Sequence, residues 1–527
     1  MKSWKRRKKA IGLLLISMVV LVAAGCQALN GVDFNAMLKQ SMNVTSYESN
    51  ETVAFKLLMN DGADEMLTGE EGELIKLVSD IKLELTDVKT SETGGMSAKG
   101  ELSLGAKHIA FEAKMNNELA ELDLEGAKKP IVISLTDPET DAAAASAQES
   151  LTAASKQIID AVSGYAIDNL PNPSHLTVLP GQESVHGETV TGMNVHADLT
   201  GKELWDWLKS YIDALIGDKE GLKAMLTGLL EALQSQESAI AASPVESMFG
   251  SLPEEDDTEA AVNDAADEII DMLTQLQDEL AKTETDEAET LDSVLNDGTF
   301  VKGDLFIDGK LDIRKAVIEA AVKITEPAIA AGDEDEDMGM EALMPFSGIS
   351  VKITSDRWNV NGDVQPAQPS GDKSVLNGQA LMDMQGYEVL QQFDKNSDVY
   401  DLLRNTAHIG RQSLTLSPEF SRNAPIITPS GITIVPLRYT AEAFGAALTK
   451  SGGSLIVKDG ATNTTISLKN GSSNAIINGK TVKWGFPTTV VNGVTYVPAR
   501  DFAQALGASI EWEQYGGVKA LTLVREP

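Results

Sequence analysis

The chain has 527 residues, 42% of them hydrophobic and 5% aromatic, with 79 Asp and Glu against 43 Lys and Arg for a net charge of −36. That apolar content supports packed domains, roughly three at about 150 residues each, and the acidity argues against a nucleic-acid binder, whose phosphates need a Lys/Arg surface. One cysteine excludes an intramolecular disulfide framework and a Cys-rich zinc site, and five histidines leave little room for a polyhistidine metal centre.

The first 25 residues stand apart from the rest. Lys2, Lys5, Arg6, Arg7, Lys8 and Lys9 form a basic head, and Ala10 to Ala24 follows without a charge. This is a signal-peptide pattern whose apolar run is short for a membrane span. It ends in Ala23-Ala24-Gly25-Cys26, so the chain's one cysteine sits directly after small residues suited to a peptidase cleft. The segment resembles the lipobox of bacterial lipoproteins, with Ala23 where Leu is usual. The resemblance implies that Cys26 carries a diacylglyceryl thioether, becomes the new amino terminus and holds the protein to the outer face of the cell membrane. Removing residues 1–25 leaves a net charge of −42.

From about Asn50 to Leu135 apolar and polar residues alternate, as in Ile109, Phe111, Ala113 and Met115, with Asn116-Asn117 as a turn; this predicts an antiparallel meander. Thr136 to Ser163 reads as loop plus helix, Pro171 and Pro173 punctuate an extended stretch, and Glu183 to Leu199 returns to strand. Helical spacing follows at Leu204, Leu208, Tyr211 and Leu215, then at Leu222, Leu226 and Leu229, then at Ile269, Met272, Leu273, Leu276 and Leu280. The acidic stretches Pro253 to Asp267 and Thr283 to Glu289 read as solvated connectors. Strands resume at Phe300, with Asp308-Gly309 as a two-residue hairpin turn. Val317 to Ile324 suits strand or helix, Ala328 to Leu343 reads as an acidic disordered loop, and Ile349 to Ile353 as a strand. Pro366 to Asp372 is linker-like, and a helix is expected near Val389 to Leu403. The order of sheet, helical excursion and sheet resembles the LolA/LppX-like half-barrel of surface lipoproteins, which implies an antiparallel sheet wrapped around helices and able to hold an acyl chain.

The carboxy terminus contains an internal repeat. Gly431-Ile-Thr-Ile-Val-Pro-Leu-Arg438-Tyr-Thr-Ala-Glu-Ala-Phe-Gly445 and Gly493-Val-Thr-Tyr-Val-Pro-Ala-Arg500-Asp-Phe-Ala-Gln-Ala-Leu-Gly507 lie 62 residues apart and agree at eight of fifteen positions. Asn492-Gly493 predicts a tight hairpin turn, Pro498 and its counterpart Pro436 suit the first turn of a short helix, and Gly507 and Gly445 suit its left-handed ending. Asn478-Gly479 predicts a further hairpin, and Ile510 and Trp512 begin another strand. These motifs resemble the copper amine oxidase N-terminal-like (stalk) domain over about Ala424 to Val524, with Gln504 where Glu is usual and Lys450 opposite Trp512. In the oxidases this module sits apart from the copper and quinone chemistry, so the resemblance implies neither; residues 423–527 have no histidine, and the chain has no Asn-Tyr-Asp/Glu sequence. Arg438 and Arg500 read as braces between hairpin and helix within each repeat. Residues 423–527 carry +3, which leaves −45 on residues 26–422.

No phosphate loop, His-Glu-x-x-His or Gly-x-Ser-x-Gly motif is present. Asp394-Lys-Asn396-Ser-Asp398 starts like a calcium loop but has Val399 for the required Gly, and reads as a turn or helix cap. His186 and His196, ten residues apart with His175 near, read as strand-surface histidines before metal ligands. The runs Glu254–Asp257 and Asp333–Asp337 read as solvated loops with at most weak Ca²⁺ or Mg²⁺ affinity. The expected fold is α+β: an antiparallel sheet with a helical excursion, then a small α+β two-repeat domain of hairpins and short helices. The expected divisions are a signal peptide at 1–25, a tether at 26–49, an acidic domain at 50–365 with helices at about 202–290, a linker with a short helix at 366–422, and the repeat domain at 423–527. The expected role is a non-enzymatic, lipid-anchored surface protein without a cofactor, whose partners are the membrane through Cys26 and cell-wall polymer, an envelope protein or an apolar ligand. A LolA/LppX-like lipid carrier and an envelope enzyme with an unrecognised site are the alternatives.

Overall fold

The architecture is α+β, and the computed structural model describes residues 33–136, 157–234, 258–325, 345–370, 374–419, 421, 424–515 and 518–527. Cys26 and both acidic runs lie outside the described residues. The chain divides into two compact units, the first drawn from residues up to Asp123 and from Val132–Asp372, the second from Leu124–Ile131 and Lys373–Pro527.

The first unit is built on one antiparallel sheet. Its strands are β1 (Tyr47–Met59), β2 (Asp80–Thr90), β3 (Met96–Leu104), β4 (Lys107–Met115), β5 (Leu119–Leu124), β6 (Ile131–Ser134), β7 (His175–Val185), β8 (Glu188–Thr200), β9 (Phe300–Asp308), β10 (Ile313–Lys323) and β11 (Phe346–Trp358). The spatial order is β6-β5-β4-β3-β2-β1-β11-β10-β9-β8-β7. The chain thus builds one wing outward from β1, and later strands return to close against β1 through β11. Besides a single turn at Ala63–Met66, the helices of this unit among the described residues are α1 (Phe34–Met42), α2 (Gly69–Val78), α3 (157–168), α4 (Gly201–Gly217), α5 (Lys219–Gln234) and α6 (Thr258–Asp286), with a short α7 (Ala288–Val294) after them. A capping box starts α4: Glu203 accepts hydrogen bonds from the Thr200 amide and hydroxyl (2.8 and 2.9 Å).

Three expectations change here, and one open alternative resolves to strand. The acidic stretches at 258–267 and 283–289 are largely helix, not connectors. Val262, Ala265 and Ala266 recur at three- and four-residue spacing and pack on Leu222, Leu226 and Leu230 of α5, so alanine's helix propensity and a buried stripe prevail while the carboxylates stay wet. The β9–β10 turn is wider than Asp308-Gly309. Asp308 accepts from the Lys310 and Asp312 amides (2.8 and 3.2 Å), and Leu311 takes φ +66°. Val317–Lys323 is strand. The folded body also begins before residue 50, because α1 buries Phe34, Met37 and Leu38 in the main core and Asp33 caps it through the Ala36 amide (2.9 Å).

The second unit begins upstream of the repeat. In place of one helix at 389–403 it has β12 (Leu376–Asn377), α8 (Gly378–Asp383), α9 (Gly386–Leu390) and α10 (Asp398–Asp401), the last running into a wide π-turn at Leu402–Thr406. Asp394 accepts from the Asn396 amide (3.0 Å) and Ser397 caps α10 through the Tyr400 amide (3.2 Å), so the calcium-like segment is a turn and a cap. The expected linker also supplies β13 (Gln412–Leu416), whose Leu414 and Leu416 lie in the unit's core. The remaining strands are β14 (Ile426–Ile427), β15 (Thr433–Pro436), β16 (Ala447–Ser451), β17 (Ser454–Asp459), β18 (Thr464–Leu468), β19 (Asn474–Ile477), β20 (Lys480–Lys483), β21 (Thr489–Val491), β22 (Val494–Pro498), β23 (Ser509–Tyr515) and β24 (Val518–Arg525). Helices α11 (Leu437–Ala443) and α12 (Ala499–Ala505) follow the two Val-Pro motifs. Three sheets result, ordered β13-β24-β23, β14-β15-β22-β21 and β16-β17-β18-β19-β20.

The two repeats meet on a local two-fold. β15 and β22 pair antiparallel with Val435 opposite Val497, its own counterpart 62 residues on, and with Ile434–Pro498 and Pro436–Tyr496 related by exchange. Each repeat thereby supplies the other with the strand partner that it lacks alone.

Candidate functional site

In the first unit the alternation that makes the sheet gives it two unlike faces. A row of six directly opposed side chains crosses six strands: Ile318, Ile353, Val53, Leu83, Leu102 and Ile109. The next row is Ala320, Val351, Phe55, Ile81 and Leu104. The opposite face carries Glu319, Lys352, Ala54, Lys82, Ser103 and His108 in its corresponding row, with ion pairs Lys352–Glu319 (3.7 Å), Lys82–Glu84 (2.8 Å) and Lys56–Asp80 (3.2 Å). One face is charged and polar, and the other is mainly apolar, with Glu51 and Ser355 in the row beside Val53 and Ile353.

The apolar face is covered unevenly. Over β7 to β10 its residues Val178, Val195, Leu199, Val301, Ile307 and Ala320 join the main core with α1, α4, α6 and α7, including Trp205 and Trp207. None of the six residues of the cross-sheet row belongs to that core. At the middle of the sheet Val53 and Ile353 are 36% and 37% exposed although they stand on interior strands. On such strands the backbone is already paired on both sides, so these side chains offer contact area and no hydrogen bonds.

The titratable groups with shifted pKa values serve the framework. Burial alone would push the Glu121 carboxyl up. The Ser370 hydroxyl and amide (2.5 and 2.6 Å) and Lys114 (3.2 Å) outweigh it and hold the carboxyl low. His175 lies against Glu203 (2.8 Å) and His196 against Asp304 (2.7 Å), as strand-surface residues. His186 is not on a strand: it sits in the β7–β8 turn at φ +48° with its ring stacked on Trp358 at 4.0 Å. Among the described residues no group of three or more His, Cys, Asp or Glu side chains is placed to hold a metal ion.

In the second unit the motif residues have identifiable framework positions. Asn492-Gly493 and Asn478-Gly479 take φ of +49° and +81°, and +47° and +82°, the two positive values that a two-residue hairpin turn requires. Gly431 takes +78° at the bend before β15. Pro436 and Pro498 end their strands and precede their helices by one residue, at the N-cap. Gly445 and Gly507 follow α11 and α12 at φ +70° and +72°, each inside a paired hydrogen-bond ending: the Gly445 and Ala446 amides donate to Glu442 and Ala441, and those of Gly507 and Ala508 to Gln504 and Ala503. Trp512 lies on the edge strand β23 and is 43% exposed, whereas Trp484 is buried against Phe502.

The arginine assignment changes. Arg438 is exposed and pairs with Glu442 one turn along its own helix (2.9 Å), and Arg500 is exposed with Gln504 at the matching position. The brace is Arg525. Its guanidinium makes a two-pronged pair with Asp459 (2.6 and 3.0 Å) and donates to the Phe444 carbonyl (2.8 Å), the Leu506 carbonyl (2.9 Å) and Gln412 Oε1 (2.7 Å). Phe444 and Leu506 are the C-cap residues of α11 and α12, so one buried cation closes the carbonyl ends of both repeat helices. Burial pushes the Asp459 carboxyl up, but Arg525 and Thr462 outweigh it and hold it below the usual range. A period-two signal was present for both partners. Leu521, Leu523 and Arg525 share one face of β24, and Leu455, Val457 and Asp459 share one face of β17.

Residues 417–518 match the family model of the copper amine oxidase N-terminal domain. The match supports the resemblance read from the repeat and spans about a fifth of the chain. No curated protein matches the chain. Copper finds no fit in this module, where residues 423–527 have no histidine and the buried charged pair is already satisfied. Among the described residues no helix is long and apolar enough to cross a membrane.

Proposed function

We propose that this is a lipid-anchored, non-catalytic protein of the extracytoplasmic membrane face whose first unit binds an apolar ligand on the part of its sheet that lies outside the main core formed by the described helices. The observation that carries the reading is the six-strand aliphatic row with Val53 and Ile353 more than a third exposed at its centre. At strand spacings of about 4.8 Å the row is about 24 Å long, which exceeds the ~15 Å of hydrocarbon in one bilayer leaflet. It offers no hydrogen-bonding side chain, so a peptide lying along it would leave its own backbone groups unmet. A hydrocarbon chain has none to satisfy. The anchor brings ligand and site together: seven residue steps separate Cys26 from Asp33, at most about 25 Å of chain. The repeat unit serves as a self-braced stalk.

Two measurements test this. Cys26→Ser is expected to release the protein from membranes or leave it unprocessed; full membrane retention with normal processing would sink the anchor. Solvent extraction and native mass spectrometry of the soluble mature chain are expected to find a co-purifying lipid-like molecule, and a fluorescent fatty acid is expected to bind. V53D/I353D should abolish both with the circular dichroism spectrum unchanged. An empty wild-type protein that takes up no probe overturns the binding role.

A further inference from the structure

The second unit carries a charge pattern that the apolar-ligand reading does not use. Residues 447–483 form the five-stranded sheet β16 to β20 and contain Lys450, Lys458, Lys469, Lys480 and Lys483 against a single carboxylate, Asp459. That carboxylate is buried and taken by Arg525, so it neutralises nothing at the surface. All five lysines are exposed, and none makes an ion pair among the described residues. Lysines of the first unit behave otherwise: Lys39, Lys56, Lys82, Lys209 and Lys352 each lie within 4.0 Å of a carboxylate, and so do others.

The sheet register places these groups. Val457, Ile466 and Ala475 point into the core, so the residues between them face outward. The outward row is Thr449, Ile456, Ser467, Ile476 and Thr481, one residue from each strand. Lys458 and Lys483 stand on the same outward side, two residues along from Ile456 and Thr481. Lys450 and Lys480 stand on the two edge strands, four strand spacings or about 19 Å apart, opposite Leu455 and Ile477 and so at the other parity from the outward row. The outward face thus carries Lys458, Lys483 and three hydroxyl residues, flanked by an exposed lysine on each edge strand and with no exposed carboxylate, in a chain of net charge −36.

We propose that this sheet is a docking face for a linear polyanion bearing phosphates on a flexible, non-aromatic backbone. Phosphate oxygens accept from both ammonium and hydroxyl groups, and unpaired lysines attract them without first breaking an internal ion pair. Single-stranded nucleic acid fits less well, because its bases stack on exposed aromatic rings and the outward row has none. An anionic bilayer fits less well too. Membrane-surface elements combine lysines with a continuous apolar face, and here Ile456 and Ile476 are separated by Ser467 and flanked by Thr449 and Thr481.

The test uses the full mature chain carrying C26S and poly(glycerol phosphate) as probe, with neutral dextran, phosphatidylglycerol vesicles and oligo-dT as comparison arms. Binding to poly(glycerol phosphate) is expected at about 50 mM salt and should fall steeply as salt rises. K458E/K483E should weaken it at least about tenfold, while V53D/I353D and K56E in the first unit should leave it unchanged, which separates this proposal from the fate of the apolar site. Absence of binding at low salt, equal binding by K458E/K483E, equal binding to dextran, or tighter binding to vesicles or oligo-dT than to the polymer would each overturn it.

Discussion

The two units handle charge in opposite ways. The first keeps most of its ion pairs in water, as with Lys56–Asp80, in which both side chains are more than half exposed, and shelters a few, such as Lys114–Glu121 and Arg314–Asp308, without removing both partners from solvent. The second removes one pair from water altogether. Arg525 and Asp459 have side-chain exposures of 0% and 1%. An exposed pair gives up little hydration and returns little stability, whereas a buried one holds only if every remaining donor is met, as the Phe444, Leu506 and Gln412 oxygens do for Arg525. The first arrangement tunes a surface. The second holds two repeats in one geometry.

The sharpest way to break this contrast is Arg525→Ala. It leaves Asp459 buried without a cation and two helix ends without a donor. The second unit should lose about 3–5 kcal/mol, read as a shift of its own transition in urea or as accelerated hydrogen exchange confined to that unit. The apolar pair R525M/D459L should recover much of that loss, because no charge then remains buried. If R525A were as stable as wild type, Arg525 would not be the brace.

Acid provides the next largest effect. The Asp459 carboxyl titrates lower in the folded protein than the ~3.9 of an unfolded chain. Its stabilisation is therefore complete above about pH 4 and is lost as pH falls through the folded value. The second unit should show a drop in melting temperature below that point that R525M/D459L lacks; identical acid profiles for the two proteins would refute the assignment. The smallest effect belongs to the first unit. Lys56→Ala should change stability by no more than about 0.5–1 kcal/mol in thermal or urea unfolding. A loss near that of R525A would mean that the exposed pairs do more than their solvation allows.

Much of this fold was legible from local pattern. Ile109, Phe111 and Ala113 announce a strand because side-chain direction has period two. Asn492-Gly493 announces its hairpin because the turn needs two residues that tolerate positive φ. Charge is a weaker guide than packing. The acidic segment from Thr258 has the composition of a solvated connector, yet Val262, Ala265 and Ala266 at helical spacing are enough to fold it against α5. Arg438 and Arg500 stand out in the sequence because they repeat, whereas Arg525 occurs once. Its place after Leu521 and Leu523 on the same strand face was the available clue.

By itself the sequence determined the periodicity of most elements, the Asn-Gly turns, the repeat and the module that it resembles, and the opposition between an acidic upstream region and a slightly basic carboxy-terminal module. All of these depend on residues close in the chain or on self-similarity. Only the tertiary structure decided that Val53 lies between Leu83 and Ile353, that Val435 meets its own counterpart, that Arg525 reaches Asp459, and that the lysines of the five-stranded sheet keep no exposed carboxylate beside them on it. Those pairings depend on register between strands distant in sequence, where a one-residue slip would turn every side chain to the other face.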